Sequence, residues 1–363
     1  MKKSLQLLIT ILCVGNLNAQ TFTEHPIYDE DKITNQSSTS KLFDFDGDGD
    51  QDLLVSGGTN ESRLLVFIND GNDLDSLHIL YDYQPQEIDN FTIADFDNDG
   101  DDDIIIQRSN TNFHLHENLG NGNFSAPTIA LNTSYTPTWF DGGDVDGDGL
   151  IDMIFTRSNP HQTYWKKNMG GGVFSVSNTD TLIAAALTDN AQINTFRTTD
   201  FEGDGDLDIF IVTEPASGYH LTWVCLNDGS GNYSTMQTPT AENLKQSFVL
   251  EDFNGDGFVD FGLAEILQSG PIRGEAKIFW NDQANNFSTS STIATSSIGA
   301  YASISAFYSL DFNQDGSQDV VVGRQYGNSA GGGDIYLNDG SGNFTDIQKS
   351  FSNSIFLQGS NSV

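Results

Sequence analysis

DFDGDGDQD (44–52) opens a series that continues as DFDNDGDDD (95–103), DVDGDGLID (144–152), DFEGDGDLD (200–208), DFNGDGFVD (252–260) and DFNQDGSQD (311–319). Successive copies start 51, 49, 56, 52 and 59 residues apart, and self-similarity at such a period marks one structural unit repeated along the chain. The six loops hold 26 of the 51 Asp and Glu residues. Carboxylates packed that densely repel one another unless each loop encloses a cation.

The spacing says which cation and which atoms. Oxygen donors at loop positions 1, 3 and 5 converge when the chain turns tightly, Gly at position 6 permits the turn, position 7 offers its backbone carbonyl, and the carboxylate at position 9 closes the shell. Hard oxygen ligands in a flexible cage select Ca²⁺ over transition metals. The expected ligands are Asp44, Asp46, Asp48, the carbonyl of Asp50, and Asp52 in the first loop, with Gly49 at the turn. The second loop offers Asp95, Asp97, Asp99, Asp101 and Asp103; the third offers Asp144, Asp146, Asp148, Leu150 and Asp152. The fourth offers Asp200, Glu202, Asp204, Asp206 and Asp208. Asp252, Asn254, Asp256, Phe258 and Asp260 serve the fifth, and Asp311, Asn313, Asp315, Ser317 and Asp319 the sixth. Asn keeps the oxygen but drops the charge, so the last two loops are expected to hold calcium more weakly.

An EF-hand needs an acid at position 12 and a helix on each side. Position 12 here is Val55, Ile106, Phe155, Ile211, Leu263 or Val322, and the flanking runs LLVS, IIIQ, MIFT, IFIV, FGLA and VVVG read as buried strands. About 25 residues after each loop start comes a second signature: NDGND (69–73), NLGNGNF (118–124), NMGGGVF (168–174), NDGSGNY (227–233), NDQANNF (281–287) and NDGSGNF (338–344). Asn, Asp and Gly between apolar runs mark hairpin turns. The unit therefore has four strands, in the second repeat 87–94, 103–108, 112–118 and 123–131, and four-stranded sheets repeated radially are propeller blades. The fold class is all-β: a β-propeller of four-stranded antiparallel blades.

These loops and turns resemble the FG-GAP or VCBS repeat family, whose members include the propeller of integrin α subunits, and the repeat style is similar to that of bacterial secreted members. The resemblance implies a propeller, usually seven-bladed, with calcium loops on one face and partner binding often on the other. FTEHPI (22–27) is similar to FSAPTI (124–129) of an outer strand, and SIFLQGSNSV (354–363) to an inner strand leading into a loop. The expectation is that residues 20–363 form part of a seven-bladed ring, with a closed six-bladed ring as the alternative.

Lys2 and Lys3, the apolar run Leu5–Val14 and Ala19 in NLNAQ read as a signal peptide over residues 1–19, placing the protein outside the cell or on its surface. Only Cys225 then remains, read as a small buried apolar residue, so calcium takes the place of disulfides as the brace. A net charge of −36 argues against nucleic acid. No catalytic set, nucleophile elbow or phosphate loop emerges, so no enzyme is expected. The expected function is adhesion or recognition of an extracellular protein or carbohydrate, without membrane insertion. The competing readings are a polysaccharide-degrading propeller and a structural spacer. The connections between second and third strands vary from blade to blade, as binding loops do. Arg108, Arg157 and Arg324 each follow a position-9 Asp by five residues and are candidates for a basic rim on that face.

Overall fold

Strands flanked on both sides by other sheets have no polar face, and the runs after each Asp loop are of that kind. The computed structural model describes residues 40–49, 51–56, 63–69, 74–82, 88–108, 111–133, 137–158, 161–175, 181–183, 192–214, 220–242, 244–265, 272–297, 302–326 and 329–351. The leader, Asp50 and the segment 354–363 lie outside them. Each repeat forms one antiparallel meander. The first has β1 (Ser40–Phe43), β2 (Asp52–Ser56), β3 (Arg63–Asn69) and β4 (Leu74–Asp82); the second has β5 (Ile88–Ala94), β6 (Asp103–Arg108), β7 (Asn112–His116) and β8 (Thr128–Asn132). The third has β9 (Pro137–Gly143), β10 (Asp152–Ser158), β11 (His161–Lys166) and β12 (Thr181–Leu182); the fourth has β13 (Gln192–Thr199), β14 (Asp208–Glu214), β15 (His220–Asn227) and β16 (Tyr233–Glu242). The fifth has β17 (Leu244–Glu251), β18 (Asp260–Glu265), β19 (Ile272–Trp280) and β20 (Thr289–Ser297); the sixth has β21 (Ala302–Leu310), β22 (Asp319–Tyr326), β23 (Ser329–Asn338) and β24 (Phe344–Phe351). These are the blades of a β-propeller. Among the described residues no helix is long and apolar enough to cross a membrane.

Period-two alternation assigns each second strand to two neighbours at once. Ile104 and Ile106 of β6 pack with Leu54, Leu64 and Val66 of the first blade, while Ile105 between them joins Phe140, Met153 and Phe155 of the third. Ile209 and Ile211 face the third blade, whereas Phe210 and Val212 face Phe261 and Leu263 of the fifth. Five apolar clusters thus fill the five junctions between consecutive blades. Every junction also receives the Phe that stands four residues before the later blade's loop: Phe91, Phe140, Phe196, Phe248 and Phe307. Gly262 gives Phe307 its room, since a Cβ there would lie 2.4 Å from the ring. Trp165, Trp223 and Cys225 are buried in the junction between the third and fourth blades.

The second repeat departs from the sequence expectation at its outer edge. β7 stops at His116, β8 starts only at Thr128, and a single bridge joins Asn118 to Phe124. Phe124 turns its ring across to stack on Phe45 of the first blade at 5.6 Å, and Pro127 has no N–H with which to extend the ladder. Packing between blades shortens the strand.

Candidate metal centres

In every blade the residue before the loop pairs with position 9, as in Phe43↔Asp52, Ala94↔Asp103 and Leu310↔Asp319. Each Asp loop is therefore the connection of the first hairpin, anchored at both ends by sheet. Position 1 organises the loop backbone. In the first loop Asp44 Oδ1 accepts from the N–H groups of Gly47 (2.8 Å) and Asp48 (3.1 Å), and Oδ2 from that of Gly49 (2.9 Å). Asp144, Asp200 and Asp252 do the same in their loops. Asp95 and Asp311 accept from positions 5 and 6. The N–H at position 7 donates to the carboxylate at position 5, as Asp101 to Asp99, Leu150 to Asp148, Asp206 to Asp204, Phe258 to Asp256 and Ser317 to Asp315.

Two turns, not one, bend each loop. Position 6 is Gly at φ 85–102° in all six, and position 4 is also left-handed: Gly47, Asn98, Gly147, Gly203, Gly255 and Gln314 at φ 60–80°. The invariant Gly of the sequence points to position 6 alone.

Position 9 is fully buried in all six loops, and its two oxygens hold separate chain segments. One accepts from the N–H at position 2, for example Phe45 to Asp52 at 2.7 Å and Phe201 to Asp208 at 2.8 Å. The other accepts from the N–H of the first Asn of the second signature. Asn69, Asn118, Asn168, Asn227, Asn281 and Asn338 donate to Asp52, Asp103, Asp152, Asp208, Asp260 and Asp319 at 2.7–2.8 Å. Burial is the largest influence on these carboxyls and outweighs the hydrogen bonds, pushing Asp103, Asp152, Asp208 and Asp260 up to about 7. Asp52 and Asp319 are raised for the same reason. By composition alone the Asn partners read only as turn formers. The signal in the sequence is that each turn Asn recurs 15–21 residues after a position-9 Asp.

One carboxylate oxygen from each of Asp44, Asp46 and Asp48 lies within 4.8 Å of the others, and the same holds for Asp95, Asp97 and Asp99 and for Asp144, Asp146 and Asp152. These clusters can hold a metal ion. Two observations fit one: Asp46 Oδ1 and Asp146 Oδ1 are buried and accept no hydrogen bond, although a buried carboxylate oxygen normally has a donor or a cation. In the fourth loop the Glu202 carboxylate accepts instead from Asn285 Nδ2 of the fifth blade at 2.9 Å.

A model of the FG-GAP-like repeat matches five times, over residues 44–106, 95–155, 144–211, 200–263 and 252–322. The chain belongs to the FG-GAP-like repeat family. Each FG-GAP-like segment runs from one Asp loop through the next loop into the strand beyond it, so the unit straddles a blade junction. No curated protein matches the chain. Among solved structures it is similar to an Agrocybe aegerita lectin, described by its specific recognition of non-reducing terminal N-acetylglucosamine. The TM-score is 0.60 at 20% identity, over 89% of this chain and 83% of that one. It is also similar to BBS1N in complex with ARL6DN, with a TM-score of 0.48 at 11% identity over 85% and 81% of the two chains.

The three arginines fall where their spacing placed them, near the ends of β6, β10 and β22 away from the Asp loops. The side chains of Arg108 and Arg324 lie outside the described residues. Arg157 donates to Gln162 Oε1 at 3.1 Å and lies over the Tyr164 ring at 4.9 Å.

Proposed function

We propose that this FG-GAP-like propeller is an extracellular recognition module for carbohydrate, in which calcium in the Asp loops maintains the blades. Asp44, Asp46 and Asp48, with their counterparts in the second and third loops, would hold the ions; the ion would neutralise the converging carboxylates and pin the first hairpin. Position 9 would then tie the loaded loop to the second hairpin through its Asn partner.

The observation that carries the carbohydrate reading is a groove of about 610 Å³ between the outer strand of the fifth blade and the second turn and outer strand of the sixth. Its lining includes Ser291, Thr292, Thr295, Asn343, Phe344 and Asp346. Hydroxyl, amide and carboxylate groups beside the half-buried Phe344 ring offer a sugar both polar and apolar contacts. The likeness to an N-acetylglucosamine-recognising lectin supports the same class, and the charge of −36 disfavours polyanionic partners.

Binding of the calcium-loaded chain to an array of immobilised glycans, N-acetylglucosamine-terminated ones among them, tests this. Saturable binding that is weakened at least about tenfold by Asn343→Ala, without product formation, supports a binding module. Absence of binding to any glycan overturns the carbohydrate reading.

A further inference from the structure

We infer that Lys167 is a built-in counter-ion of the third loop, occupying the place of a metal between Asp146 and Asp148 and making this loop the weakest of the acid-rich calcium sites. The inference rests on the reading of the Asp loops as calcium sites.

Lys167 Nζ is paired with Asp146 Oδ2 and, at 2.7 Å, with Asp148 Oδ2. These are the position-3 and position-5 carboxylates, two of the side chains on which a cation would be held. The lysine is aimed there by the chain. It immediately precedes Asn168, whose N–H is fixed on Asp152 Oδ1 at 2.7 Å and whose Nδ2 reaches the carbonyls of Phe96 (2.8 Å) and Ile151 (3.0 Å). A residue so placed overhangs the loop of its own blade. In the other blades the same place before the turn Asn holds Ile68, Glu117, Leu226, Trp280 and Leu337. At this position only the third blade carries a cationic side chain.

A point charge on a flexible stem suits this role. The Lys167 side chain is 37% exposed, so it can swing into solvent when a divalent ion arrives, but the ion must displace it. Calcium affinity follows the net negative charge around the ion, and here the ammonium subtracts one charge. At the equivalent place in the second blade Glu117 carries the opposite charge. One position outside the loop therefore grades the sites in opposite directions.

The test is calcium titration calorimetry on the whole chain and on Lys167→Met, each also melted in chelator. The variant is expected to show one additional or about tenfold tighter calcium site, together with a lower metal-free melting temperature. An isotherm identical to that of the parent overturns the inference while leaving the calcium reading intact. Failure of both proteins to bind calcium at millimolar concentration overturns both. If Lys167→Met does not fold, Glu117→Lys decides: it is expected to weaken one site about tenfold, and an unchanged isotherm sinks the inference.

Discussion

Asn227 belongs to the fourth blade, yet its Nδ2 donates to the carbonyl of Val145 in the loop of the third at 2.7 Å. Asn168 reaches Phe96, and Asn338 reaches Phe253, across their own junctions at 2.8 Å. The same residues give their backbone N–H to position 9 of their own blade. A turn residue is thus the joint between a loop, its own sheet and the loop next door. The apolar clusters hold neighbouring blades together, and these amides fix how the blades are aligned at the loop edge.

Truncating that joint is expected to be costly. Asn227→Ala leaves the buried carbonyl of Val145 without its donor and removes the acceptor for the N–H groups of Asp228 (2.9 Å) and Gly231 (3.1 Å). Unsatisfied buried groups cost about 1–3 kcal/mol each, so a loss of roughly 2–4 kcal/mol is expected in urea unfolding. Asn69→Ala should lose less, since its amide bond to Gln51 is exposed to solvent.

The sequence made the blade legible because its strongest features are local. A nine-residue loop followed by Ile104, Ile105 and Ile106 fixes a hairpin and a strand buried on both faces. What stayed hidden depends on register between segments 15–21 residues apart. Asn118 reads as a turn former by composition, and only the pairing of second and third strands sets it against Asp103. At position 4, Asn98 and Gln314 obscure a glycine pattern that Gly47, Gly147, Gly203 and Gly255 otherwise keep. The charge of Lys167 acquires its meaning only once the second hairpin folds over the loop.

The buried position-9 carboxyls predict opposite pH behaviour with and without metal. Asp103, Asp152, Asp208 and Asp260 sit near 7 in the folded chain, against an ordinary value of 3.8. Without a cation the folded state therefore holds protons that the unfolded chain has released. This stability is fully present below the ordinary carboxylate range and is lost as pH rises through about 7. Calcium binds the deprotonated form, so its stabilisation should grow over the same interval. Melting in chelator should fall from pH 5 to pH 8, and the gap to the calcium-loaded melt should widen. A chelated melt that rises over this range would contradict the burial argument.

Gln314 is the one position-4 residue that is neither Gly nor Asn, and its φ of 60° places it in the left-handed region. That conformation costs an ordinary L-residue about 1 kcal/mol or more, part of which glycine returns through a more flexible unfolded chain. Gln314→Gly should stabilise the protein by up to about 1 kcal/mol. The reciprocal change Gly255→Ala should destabilise it by a similar amount, with its Cβ also brought to 3.1 Å from the Gly340 carbonyl of the next blade. Denaturant midpoints of the two variants moving the same way would refute this.

The junction between the fifth and sixth blades is built differently from the others and should respond differently to added volume. Two residues after position 9, the other blades carry Leu54, Ile105, Ile154, Phe210 and Val321, but the fifth carries Gly262. A methyl group there would meet the Phe307 ring at 2.4 and 2.8 Å and Val249 at 3.1 Å, and Phe307 is itself nearly fully buried. Neither neighbour can retreat without opening a junction, so Gly262→Ala should cost about 1–3 kcal/mol through overpacking. Phe307→Leu frees volume beside the same site. The double variant should therefore be more stable than the sum of the single losses allows, a coupling that a thermodynamic cycle measures directly. Strict additivity would mean that the two residues do not compete for this space.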